Sequence, residues 1–85
     1  MTYNGWKNRE TWAVYTWLTN DEVAHHNAME LVQGKSPEQA AVALRDRLEE
    51  EAARRIPQAS LWADLIQGAL SEVDWLEVAK ALLEE

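Results

Sequence analysis

Cysteine and phenylalanine are absent from this 85-residue chain, glycine occurs three times and proline twice. Without cysteine there is no disulfide and no thiolate metal ligand, which fits a reducing compartment such as the cytoplasm. Without phenylalanine, aromatic packing falls to five tryptophans and two tyrosines. Each Trp can bury ~150–250 Å², so the expectation is a Trp-rich core. Gly5, Gly34 and Gly68 are isolated, which leaves no Gly-rich phosphate loop. No apolar run approaches the ~20 residues that span a membrane. The start MTYNGWKNRE lacks the apolar segment of a signal peptide. Strand signals are nearly missing too. No Val/Ile/Thr alternation occurs, and Asn4-Gly5 lies too near the start for a hairpin, reading instead as a turn into the first helix.

Basic residues are scarce. Eight stand against 15 acidic ones, 8 − 15 = −7. Residues 1–35 carry −1 of this and residues 36–85 carry −6. Such a balance repels phosphate backbones, so direct nucleic-acid binding is disfavoured. A length of 85 residues predicts one domain, 1–85, that buries only about 60% of its unfolded surface.

Helix signals fill the rest of the chain. Asn8 is a good N-cap for a helix over about Arg9 to Leu18, in which Trp12, Ala13, Tyr15, Trp17 and Leu18 cover most of the circumference. Thr19-Asn20-Asp21-Glu22 has capping-box spacing and predicts a second helix, about Asn20 to Gln33, stopped by Gly34. Ser36-Pro37-Glu38-Gln39 combines a cap, a first-turn proline and the box. It starts a third helix to about Arg55, with Ala41, Leu44, Leu48 and Ala52 along one face and Pro57 beyond its end. A fourth runs from about Ala59 to Leu70. Ser71-Glu72-Val73-Asp74 starts a fifth, parted from the fourth by as little as a kink. The fold class predicted is therefore all-α, a compact bundle of four or five short helices.

Chemistry has few candidates. His25-His26 is the obvious metal bait, yet adjacent helical residues point about 100° apart and do not chelate as i, i+4 histidines do. Glu22 or Glu30 has the helical spacing to join His26. Ser36, Ser60 and Ser71 all sit at helix starts, and no catalytic residue, metal ligand set or cofactor is assigned. The third helix offers a carboxylate array, Asp46, Glu49, Glu50 and Glu51, in the pattern of a nucleic-acid mimic. Arginines interleave with it, and Glu50–Arg54 and Glu51–Arg55 have ion-pair spacing. The opening stretch offers a second surface: Tyr3 and Trp6 for stacking, Lys7 and Arg9 for gripping a partner, a composition found at binding hot spots. Its structural counterpart is that Trp12 and Trp17 fill the core, with Trp6 packing back on the helix start as a staple does.

Both ends of the chain carry a resemblance. Tyr3-Asn4-Gly5-Trp6-Lys7-Asn8 and Glu10-Thr11-Trp12 follow a Y-N-G-[WY]-K-N-x-E-T-W opening, and Trp17-Leu18 and Asn20-Asp21-Glu22 the apolar helix and N-D-E after it. Asp64-Leu65, Ala69 through Trp75 and Glu77-Val78-Ala79 follow a D-L-L-x-x-A-L-S-E-V-[ND]-W-x-E-I-A closing segment. Both resemble a group of small proteins of unknown function from bacteriophages, plasmids and bacterial genomes. The resemblance implies a small intracellular helical protein whose two matched ends meet in space, and it supplies no activity. On this reading the helix of Trp12 and Trp17 packs on that of Trp75 and Val78, with the acidic third helix outside. The function expected is a non-enzymatic protein-interaction or host-modulating accessory factor with a protein partner, a nucleic-acid mimic being one version. The alternatives are a small metal-dependent enzyme or regulator using the His25/His26 region, and a subunit that homo-oligomerises.

Overall fold

A computed structural model describes residues 2–85 as five helices: α1 (Arg9–Asn20), α2 (Glu22–Val32), α3 (Pro37–Arg55), α4 (Leu61–Ser71) and α5 (Trp75–Leu83). The all-α bundle read from the periodicity is the fold. Three starts use the expected caps. Asn8 Oδ1 accepts from Thr11 N at 2.9 Å. Ser36 and Gln39 form both halves of the capping box, with Pro37 in the first turn. Ser60 Oγ accepts from Ala63 N at 3.1 Å. Gly34, at φ +77°, takes the left-handed position just past α2.

Two starts differ from expectation. Thr19 caps nothing. It lies inside α1 and donates back to the Tyr15 carbonyl at 2.8 Å, while Asp21 Oδ1 caps α2 by accepting from Val23 N and Ala24 N. Ser71 likewise belongs to the last turn of α4, donating to the Gly68 carbonyl at 2.7 Å, and Asp74 caps α5. In both places the hydroxyl reached the turn behind it and left the cap to a carboxylate. Helices α4 and α5 are thus parted by a true break at Glu72-Val73-Asp74, whose middle residue is buried.

The expectation of an outlying third helix is corrected. α3 packs most extensively on α5, then on α2, and carries α4. It buries Ala40 and Leu44 and turns its charged residues outward. α1 packs on α2 and α5, so the matched first and last segments do meet. The centre is aliphatic: Ala28, Val32, Ala40, Leu44, Val73, Val78, Ala79 and Leu82. Three of these eight are alanines, which bring the helices too close for an indole between them.

The tryptophans lie around that centre. Trp75 packs against its edge, Trp6 and Trp12 are half-buried, and Trp17 and Trp62 are exposed. The placement of Trp17 in the core is therefore overturned. The inward side of α1 is Thr11, Val14, Tyr15 and Leu18, an i, i+3, i+4, i+7 face. Trp17 projects about 100° from Leu18, where no helix covers it. No helix among the described residues is long and apolar enough to cross a membrane.

Candidate functional site

Asn4 and Gly5 both have positive φ, 48° and 87°, the signature of a type I′ turn. Around them Tyr3 N donates to Trp6 O at 2.7 Å and Trp6 N to Tyr3 O at 2.8 Å, closing one antiparallel bridge. The turn expected at Asn4-Gly5 is therefore present, and the single bridge makes it a minimal hairpin without strands. Its aromatic pair folds back onto α1. Tyr3 meets Trp12 edge-on, with centroids 5.1 Å apart, and Trp6 lies on Tyr15 at 4.7 Å. Trp6 packs back onto α1 as expected, but on Tyr15 in its second turn and not on the helix start. The packing leaves Tyr3 at the edge of exposure and the side chains of Lys7 and Arg9 in solvent.

Behind the hairpin the caps of α1 and α5 interlock. Asn8 Nδ2 donates to the Glu72 carbonyl at 2.6 Å. Thr11, fully buried, donates its hydroxyl to Asn8 Oδ1 at 2.6 Å and accepts from Asp74 N at 2.9 Å. Asp74 caps Glu77 N, and Glu77 Oε1 accepts from the backbone N–H of Lys7 at 3.0 Å. Asn8, Thr11 and Glu77 thus have a structural role, each bonding a backbone group of the other segment, while Asp74 caps its own helix. Lower down, Glu85 ties the end of the chain to two helices. It accepts from the Tyr15 hydroxyl at 2.8 Å and meets His25 Nε2 at 2.7 Å. Partial burial, the hydrogen bond to Glu85 and then the charge of Glu85 push the Tyr15 phenol up to about 12.

The two histidines diverge as helical geometry requires. His25 turns to Glu85, while His26 Nε2 meets Glu30 at 2.8 Å on a more exposed side of α2. Among the described residues no group of three or more histidines and carboxylates is placed to hold one metal ion. The carboxylates of α3 are largely matched. Glu50 meets Arg54 at 3.7 Å and Glu51 meets Arg55 at 3.9 Å, as the spacing predicts. Arg47 also reaches Glu51 at 3.9 Å, and Arg45 reaches Asp46 at 3.1 Å. Glu49 alone of the four has no ion pair among the described residues, and it lines a cavity shared with α4. Five acids and four arginines leave α3 a net charge of −1.

The largest unsatisfied feature lies elsewhere. α4 buries none of its residues. Ala63 and Leu70 turn toward α3 and are half-buried, whereas Leu61 is 65% exposed, Trp62 64%, Leu65 55% and Ile66 37%. Beside them Trp17 is 76% exposed. Trp17, Leu18, Leu48, Ala52, Ile66 and Leu70 line an apolar groove of about 330 Å³ between α1, α3 and α4. Ile66 links the two: it lines the groove with Trp17 and lies one helical turn from Trp62 on the exposed side of α4. Of the residues singled out from sequence as partner-binding, Glu51 alone lines the groove, and Tyr3, Trp6, Lys7, Arg9, Asp46, Glu49 and Glu50 do not. A signal was present: the apolar positions of α4 span about 200° of its circumference, more than one neighbouring helix covers.

No curated protein and no solved structure matches the chain. A family model matches residues 1–84, nearly the whole length, including the hairpin, the interlocked caps and α4. The chain accordingly belongs to a family of unknown function, DUF7249.

Proposed function

We propose that this protein is a non-enzymatic interaction factor that docks on a protein partner through the apolar face of α4 and the groove bordered by Trp17. The exposure of Trp62, Leu61 and Leu65 on a helix with no buried residue carries the reading. Patches of this kind mark contact sites on soluble proteins. The lack of cysteine supports action in the cytoplasm, and the likeness of both ends to small phage and plasmid proteins supports an accessory role. The structure weighs less well for the other candidates. Tyr3 and Trp6 are engaged with Trp12 and Tyr15. Carboxylates paired with arginine, on a helix of net charge −1, make a weak imitation of a phosphate backbone.

The test is capture by the immobilised chain from a lysate, comparing three forms. Wild type and the Glu49/Glu50/Glu51→Gln variant should hold the same identified partner. Trp62→Glu should lose it while keeping wild-type helical circular dichroism. Loss with the Gln variant and retention with Trp62→Glu would move the site to the acidic face of α3 and end this reading.

A further inference from the structure

We infer that the occupant of the α4 face is a second copy of this chain. The inference rests on the docking reading above and names the partner. Area is the first argument. At ~150–250 Å² per indole, the exposed fractions of Trp17 and Trp62 leave about 300 Å² uncovered. Leu61, Leu65 and Ile66 add about 150 Å², at the ~60–120 Å² per aliphatic side chain implied by transfer energies. Two such faces bring about 900 Å² of apolar surface together. With interfaces about 60% apolar, the whole contact buries roughly 1,500 Å². That lies inside the ~1,200–2,000 Å² of stable, specific interfaces.

Charge is the second argument. The chain carries −7, yet Asp64 is the single charged residue of α4, so repulsion between copies is not concentrated on this face. The rim of the groove holds both signs: Arg55 and Glu51 line it 3.9 Å apart, the arginine largely exposed. A two-fold contact presents one face twice. Each copy then presents both signs to the other, Asp64 and Glu51 with Arg55, so the contact face is mixed in charge on both sides. A partner with a strongly basic or strongly acidic contact face would leave one sign facing its like.

Sedimentation equilibrium of the full chain tests this between about 1 µM and about 200 µM, a span that brackets micromolar dissociation constants. The mass of the wild type should rise from 9.7 kDa toward twice that value. Trp62→Glu and Leu65→Glu should each stay monomeric throughout with unchanged helical circular dichroism. Should a glutamate variant lose helicity, Trp62→Gln and Leu65→Gln replace it, each expected to weaken association at least about tenfold. A wild type that stays monomeric across the range overturns the inference, as does a dimer indifferent to both positions. A monomeric wild type that captures a different protein through Trp62 overturns the second copy alone. Capture that ignores Trp62 removes the docking reading as well.

Discussion

Thr11 holds the junction between the two ends of the chain. Its hydroxyl is buried and makes two hydrogen bonds, one to the cap of α1 and one from the backbone of the α5 cap. Thr11→Val keeps the shape and strands the Asp74 N–H, so it should cost about 1–3 kcal/mol in urea unfolding. Thr11→Ser should recover most of the loss. Tyr15 gives a second residue-scale prediction. Its folded pKa is raised from 10.0 to about 12. The neutral phenol is the form the fold favours, so the contribution is fully present below pH 10. It is lost as pH rises from about 10 to about 12. Wild type should be more stable than Tyr15→Phe at pH 8, and the gap should close over that window in parallel unfolding curves. These contacts join residues 60 to 70 positions apart, which is why the sequence names Thr11 and Tyr15 only as helix residues. Asn8 and Ser36 are legible as caps because a capping side chain reaches its own backbone within three residues. Thr19 and Ser71 mislead because a hydroxyl bonds forward or backward along a helix with little difference in energy. The aspartates nearby settle the choice.

Among the elements, α3 and α4 are opposites. α3 has a complete capping box, 19 residues and neighbours on several sides. α4 has 11 residues, a glycine near its end and one main neighbour. Nothing lies within 4 Å of a Cβ placed at Gly68, and its φ is ordinary. Gly68→Ala should therefore stabilise the chain by about 0.5–1 kcal/mol, through a better helix former and a less flexible unfolded state. Gly34 is equally uncrowded but sits at φ +77°. Gly34→Ala should instead destabilise by about 1 kcal/mol. Thermal melts of the two variants should shift in opposite directions. The existence of all five helices is legible in the sequence, because amphipathic periods and caps are local. The central position of α3 is not, since a stripe of Ala41, Leu44, Leu48 and Ala52 states that one face is covered without stating by which helix.

At the scale of the whole molecule, a small aliphatic centre is ringed by aromatics that it has no room to enclose. The Cα radius of gyration is 12.7 Å, slightly above the ~12 Å expected for a compact chain of this length, as suits a helix standing on the outside. The meeting of the two ends is legible from the matched motifs. The contact surface is not, because counting tryptophans says how much apolar area exists and not which side of a helix lacks a neighbour. Trp17 shows this directly: on α1 a rotation of about 100° separates the core from solvent. Amide hydrogen exchange at low and high protein concentration tests the central claim, that the outer side of α4 is a contact face completed by a second copy. Exchange in α4 should slow markedly at high concentration while that of α3 and α5 stays unchanged. Equal protection of α4 at both concentrations, with no change at Trp17 or Trp62, would contradict the account.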